Sequence, residues 1–259
     1  MAPSLHLPIV TPLSSVPYFF LLLTLAMTLP AGCRHSRCCM SWPDAVPSDL
    51  SIRMTSSGGM LPQWETVVIF NDSITIDRYF EGAESSLNAP IERTALGPIW
   101  ESLLKHKFES LETRFEEVYD RGGVAVEVAR GDDSCRVSDA GQSFVVERDA
   151  ERWTAIVQSI QEIREQVTNA HGIPTTFVLD SSIRGHRVSL TIGWNSVLSD
   201  SLLTSFERNA MVVETVLPGT HIISVTVDLD QWGRQTADIR MPCTYLISLN
   251  EGVLSLRRL

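Results

Sequence analysis

From Leu50 onward, apolar residues recur at alternate positions in short runs, and a turn signal closes each run. This constrains the fold more than any other feature, because a period of two puts one strand face in a core and the other in solvent. Leu50–Ser56 alternates until Ser57-Gly58-Gly59 breaks it. Trp64–Phe70 (WETVVIF) is closed by Asn71-Asp72, and Ser73–Phe80 (SITIDRYF) alternates again, which reads as a hairpin. Residues 81–94 read as a polar loop. Pro98 then suits a first helical turn, with Ile99, Trp100, Leu103, Leu104, Phe108 and Leu111 on one face. A second hairpin is expected over Gly123–Arg130 and Ser134–Ser138, turning at Gly131-Asp132-Asp133. Asp149 is placed to cap a second helix, along which Trp153, Ile156, Val157, Ile160, Ile163 and Val167 form a stripe.

Residues 168–175, which begin TNAHGIP, read as a linker. Beyond it lie seven short alternating segments: Thr176–Leu179, His186–Ile192, Met211–Val216, Ile222–Asp228, Thr236–Met241, Thr244–Leu249 and Val253–Leu256. Turns are expected at Leu217-Pro218-Gly219, Gln231-Trp232-Gly233 and Asn250-Glu251-Gly252, and Ser199–Arg208 reads as a short helix or a long loop. The expected fold class is therefore α+β. An antiparallel-sheet-plus-two-helix domain over residues 50–167 is followed by a small all-β sandwich over residues 176–259.

Before Leu50 the chain is of another kind. Tyr18–Leu29 (YFFLLLTLAMTL) is a twelve-residue apolar run, too short for a membrane-spanning helix but suited to the core of a signal peptide. Ala31-Gly32-Cys33 follows it. The segment Pro17–Cys33 resembles bacterial lipoprotein signals, which are cut just before a cysteine that carries the lipid. It departs from them in having Pro30 where Leu is usual, and in placing Arg34 and Arg37 after the apolar run rather than a basic residue before it. The resemblance implies a signal peptide over residues 1–32, lipidation of Cys33 and a tether over residues 33–49. The alternatives are export without a lipid or as a membrane-anchored stub, and translation from Met40 as a cytoplasmic chain.

A net charge of −10 across 259 residues, with no cluster of Lys and Arg, excludes a nucleic-acid partner. Five cysteines are present. With Cys33 lipidated, Cys38, Cys39, Cys135 and Cys243 remain, and their pairing stays open; Cys135 and Cys243 read as buried thiols in strands. No Cys-x-x-Cys pair or paired His spacing marks a metal site, and no cofactor is expected.

Two further resemblances follow from particular residues. Ile52–Met60 (IRMTSSGGM), the Trp-led strand and the later hairpin and helix are similar in layout to emfourin-type inhibitors of thermolysin-like proteases, over Leu50–Val167. In that family the Gly-Gly pair is usually followed by an aromatic, where Met60 and Leu61 stand here. The resemblance implies a binding loop made by Gly58, Gly59, Met60, Leu61 and Pro62; the simpler reading is a tight turn with Met60 and Leu61 packed beneath it. Leu217-Pro218-Gly219-Thr220-His221, leading into Ile222–Val227, resembles the turn cadence of immunoglobulin-like and PEGA-type modules.

Catalytic motifs are incomplete. Ser102-Leu103-Leu104-Lys105 spells S-x-x-K, but the K-T-G strand that accompanies it in penicillin-recognising enzymes is missing. Nothing of the form G-x-S-x-G marks a nucleophile. Asp228, Asp230 and Asp238 lack the Gly-rich acidic loop of a calcium site, and Arg130-Gly131-Asp132 is ordinary turn chemistry. Asn71-Asp72-Ser73 is a glycosylation sequon only in a secreted eukaryotic chain. The expected function is non-catalytic: a lipid-anchored envelope protein with a binding or structural role and a protein or glycan partner. The alternatives are an inhibitor acting through residues 58–62 or an unrecognised secreted hydrolase.

Overall fold

The computed structural model describes residues 40–60, 62–193, 195–202, 210–228 and 230–259. The leader, Cys33, Cys38, Cys39, Leu61 and most of Ser199–Arg208 lie outside these residues. What is described is mostly antiparallel β-sheet with two α-helices, an α+β chain.

Four strands open the fold as a meander: β1 (Leu50–Ser57), β2 (Gln63–Phe70), β3 (Ser73–Phe80) and β4 (Ala83–Pro90). Helix α1 (Gly97–Lys105) follows, then the short β5 (Thr113–Phe115). Strands β6 (Gly123–Arg130) and β7 (Asp133–Ala140) form the second hairpin, and β6 pairs with β1. Strand β8 (Ser143–Val145) pairs with β5, and helix α2 (Ala150–His171) completes this half. The inward residues of β1 to β3, such as Ile52, Met54, Ile69, Ile74 and Ile76, are almost wholly buried. They share one apolar cluster with Trp100 and Leu103 of α1 and Trp153, Ile156 and Ile160 of α2. Period-two and period-3.6 patterns thus meet in a single core.

Strand β4 corrects the expected loop over residues 81–94. Its inward side chains are Ala83, Ser85, Leu87 and Ala89, small enough to leave almost no hydrophobic signal, yet all are buried. Glu81 and Gly82, both at positive φ, supply the two-residue turn that starts it.

Residues 40–49 correct the expected tether over its described part. Met40 is buried in the core, and Trp42 stacks on Trp100 with ring centroids 5.3 Å apart. Trp100 Nε1 donates to Pro43 O (3.0 Å), Arg93 Nη2 to Val46 O (3.1 Å) and Arg130 Nη1 to Ser41 O (2.8 Å). This segment is bound to the body without any periodic pattern.

The second half contains β9 (Ile173–Leu179), β10 (Arg187–Ile192), β11 (Asn195–Leu202), β12 (Ala210–Val216), β13 (Gly219–Val227), β14 (Gln231–Ile239), β15 (Cys243–Asn250) and β16 (Val253–Arg258). The expected linker is instead the last turn of α2, Gly172 and the start of β9. Likewise Gln231-Trp232-Gly233 begins β14 instead of turning, and Ser199–Leu202 belongs to β11. One sheet runs β12-β9-β15-β16, with β9 and β15 parallel. The other runs β11-β10-β13 and continues into β4 of the first half. That continuity rests on Gly219 facing Ser85, with Ser86 N donating to Pro218 O at 2.9 Å. Gly219 has φ 136° and a Cβ there would lie 2.5 Å from Glu84 O, so only glycine allows the two strands to approach. Side chains from both sheets make a second apolar cluster around Phe177 and Tyr245, whose rings stack at 5.7 Å.

Cys135 of β7 is disulfide-bonded, which corrects its reading as a plain buried thiol. Cys243 is a free thiol, half-buried. No helix among the described residues is long and apolar enough to cross a membrane.

Candidate functional site

The loop after β1 is a tight turn, held by Gly58 N donating to Gln63 O at 3.1 Å. Its backbone lies directly against that of residues 120–122. Gly59 has φ 64°, and a Cβ there would sit 2.4 Å from Asp120 O; a Cβ on Gly122 would sit 2.3 Å from Ser57 O. Two loops are therefore locked together by glycines on both sides of the contact. Arg121 braces the second loop: it donates to Asp139 Oδ1 (2.7 Å) and Ser143 O (3.0 Å) and lies over the Phe144 ring at 4.0 Å.

The expectation that Met60 packs beneath the turn fails. Met60 is 80% exposed, and Tyr119 on the neighbouring loop is 74% exposed. Pro62 is also exposed. Phe115, 73% exposed, lies at the same end of the fold through its pairing with Ser143. Trp64, facing Ser57 across β1 and β2, stacks on Tyr79 with centroids 6.0 Å apart and keeps part of its ring in solvent. With Leu61 outside the described residues, the expected loop is represented by Gly58, Gly59, Met60 and Pro62. The structure adds Tyr119, Trp64 and Phe115, which no short motif marks. The result is an apolar and aromatic tip carried on loops that are held against each other by glycines.

Deeper in the fold is a cluster that sequence reasoning missed. Glu65 of β2 and Arg78 of β3 face each other in register, and both are buried. Glu65 Oε2 accepts from Arg78 Nε (3.0 Å), Arg78 Nη2 (2.5 Å) and Arg164 Nη2 of α2 (2.8 Å). Burial alone would raise the Glu65 carboxyl, but the two guanidiniums more than offset it and hold the group below the usual carboxylate range. A signal was present: Glu65 shares the inward phase of Val67 and Ile69, and Arg78 that of Ile74 and Ile76. Both arginines line a cavity of about 450 Å³ that also reaches β11 and β12.

The remaining sequence candidates do not converge. Asp228 is bonded to His186 Nδ1 (2.5 Å) and Arg187 N (2.7 Å), and the His186 contact, with the Arg187 amide, holds its carboxyl below the usual range. Asp238 faces Thr220, at the opposite end of the β13–β14 hairpin from Asp228. Ser102 Oγ donates to Ala155 O at 3.4 Å, tying α1 to α2. Arg130 pairs with Asp49, and Gly131 carries the positive φ of a turn. Among the described residues no three metal-binding side chains come together. No family model and no curated protein matches this chain.

Proposed function

We propose that this chain is a non-catalytic, lipid-anchored binding protein of the cell envelope, with the lipid on Cys33, and that it docks a protein partner through the tip carrying Met60 and Tyr119. The observation that carries this reading is the exposure of Met60 on a backbone that glycines at 59 and 122 hold against a second loop. A large apolar side chain on a rigid, exposed turn loses little conformational entropy on binding.

Two features support the envelope address. The apolar run ending at Cys33 has the length of a signal core. The disulfide at Cys135 fits an oxidising compartment. The chain enters β1 at Leu50, where Arg130 holds Ser41 and Asp49, and Met60 follows the far end of that eight-residue strand. At about 3.3 Å per residue, the strand separates the two by roughly 26 Å. In this reading residues 50–167 form a sheet-plus-helix domain and residues 176–259 a β-sandwich joined to it through β4.

The experiment is a photo-crosslinking amino acid placed at position 60 and, separately, at exposed position 132 near the entry end, in cells that make the protein. Capture of one defined partner from position 60 alone supports docking at the tip; equal or absent capture argues against it. A second reading, inhibition of a thermolysin-like protease through residues 58–62, is favoured by the same exposure of Met60. It requires inhibition of thermolysin at micromolar concentration.

A further inference from the structure

The outward face of β2, β3 and β4 sets an aromatic ring beside two carboxylates. Alternation puts Trp64 on the face away from Glu65, Val67 and Ile69, with Asp77 and Tyr79 of β3 and Glu84 and Ser86 of β4. Register fixes the neighbours: Trp64 lies opposite Tyr79, Tyr79 opposite Glu84, and Asp77 opposite Ser86. The Trp64 and Tyr79 rings stack with their planes 9° apart, yet Trp64 remains 40% exposed. Ser86 Oγ donates to Asp77 Oδ1 at 2.6 Å, which orients that carboxylate as well. Side chains ordered in advance give up little entropy when a ligand settles on them.

Trp64, Asp77, Glu84 and Ser86 line a groove of about 430 Å³, within the range of small-ligand sites (~300–1,000 Å³). Its far wall is Pro218-Gly219, brought against β4 by the close approach of Gly219 to Ser85, with Arg240 beside it. The charges in this lining select the ligand. Arg78 is bonded to Glu65 and also faces Glu214, and Arg240 Nε donates to Asp238 Oδ2 at 3.1 Å. Both guanidiniums are thus committed to carboxylates outside the groove, and Asp77 and Glu84 repel an acidic ligand. A metal ion finds no third ligand here among the described residues, and the two guanidiniums in the wall oppose an organic cation.

What the groove offers is a ring face and fixed acceptors. Asp77 and Glu84 are diagonal neighbours on adjacent strands, about 7–8 Å apart at Cβ, a spacing that suits separate hydroxyls of one molecule. The electron-rich face of Trp64 suits C–H bonds. A pyranose ring has both features, an apolar C–H face and hydroxyls around its rim. We propose that this groove binds a neutral glycan chain, one ring resting on Trp64 with hydroxyls donating to Asp77 and Glu84. The row from Trp64 to Glu84 crosses two strand spacings, about 10 Å, so more than one sugar ring is engaged. Trp64 also borders the tip, but glycan binding does not rest on the docking reading and is measured without a protein partner.

The test is calorimetric titration of the purified protein with four neutral tetrasaccharides: cellotetraose, maltotetraose, chitotetraose and mannotetraose. Saturable binding of at least one is expected, with its monosaccharide at least about tenfold weaker. Tetragalacturonate and tetralysine, the acidic and basic arms, should bind more weakly than the best neutral chain. Trp64→Ala should weaken that binding about tenfold or more, and Glu84→Gln several-fold through loss of a charged acceptor. Circular dichroism establishes that each variant is folded, and Glu84, being exposed, keeps the test intact should Trp64→Ala unfold. Phe70→Ala removes an exposed aromatic at the far end of β2 and should leave binding unchanged. The site would be overturned by no saturable binding of any tetrasaccharide up to about 10 mM, by equal affinity for the monosaccharide, or by tighter binding of the acidic or basic oligomer. Unchanged affinity in the folded variants at Trp64 and Glu84, or an equal loss in Phe70→Ala, would overturn it as well.

Discussion

Glu65 and Arg78 stand directly opposite each other on neighbouring strands, both buried, with Nη2 and Oε2 2.5 Å apart and Arg164 closing on the same oxygen from α2. The carboxylate is the shared neutralising group of two cations, so its loss leaves charge in a place water scarcely reaches. Glu65→Ala should destabilise the fold by about 3–5 kcal/mol, as expected for removing one member of a buried ion group. Urea denaturation of wild type and variant measures this directly. A change below about 1 kcal/mol would mean that the arginines are well solvated without Glu65.

His221 provides a pH signature. It is buried, its Nε2 donates to Leu217 O at 2.7 Å, and burial pushes its imidazole below the ordinary histidine range despite that bond. The unfolded chain therefore binds this proton more readily than the folded one. Stability contributed by neutral His221 is full above the unfolded value of about 6.5 and is lost as pH falls through the lower folded value. Unfolding free energy measured from pH 7 to pH 5 should fall more steeply in wild type than in His221→Gln. Equal slopes would contradict this.

The tip separates binding from stability. Met60 is mostly in solvent, so Met60→Asp should change unfolding free energy by no more than about 0.5 kcal/mol while abolishing capture of the partner. Gly59→Val puts a β-branched residue at φ 64° and drives its Cβ into Asp120 O, costing about 1–3 kcal/mol and distorting the loop. Thermal melts and crosslinking yields from the two variants distinguish a lost contact from a lost shape.

Cys135 of β7 is disulfide-bonded. Cys135→Ser, or treatment of the wild type with reductant, should lower stability by about 2–4 kcal/mol. Melting with and without reductant tests this, and the Cys135→Ser variant should show no further response. A wild-type melt indifferent to reductant would exclude a stabilising bridge.

The parts of the fold that were legible in the sequence are those with a strong period. Ile52 and Met54, Ile74 and Ile76, and the Trp153–Val167 stripe each announce a face that must be covered. Strand β4 escaped because Ala83, Ser85 and Ala89 alternate in burial without contrasting in hydrophobicity. Met40 and Trp42 escaped for another reason: two apolar anchors among prolines and serines have no period, and only the surface they meet reveals them. The helix end was misread because Asn169 and Gly172 are breakers, although the chain stays helical to His171. At the tip, Gly58 and Gly59 marked the turn, but nothing local could place the loop of residues 120–122 against Gly59. That neighbourhood depends on the β1–β6 pairing, which brings residues far apart in sequence side by side, as Ser57 faces Gly123 and Leu50 faces Arg130. Glu65 and Arg78 were legible in principle, since a charge on the inward phase of two adjacent strands needs a partner.

The most direct test of the account is the intact mass of the protein recovered from fractionated source cells, for wild type and Cys33→Ser. An anchored binding protein predicts a membrane-bound chain that begins at Cys33 and is heavier by a diacylglyceryl and an acyl group, with the modification lost in Cys33→Ser. A soluble, unmodified chain beginning at Met40 would contradict the anchor and the envelope setting of the proposed docking function.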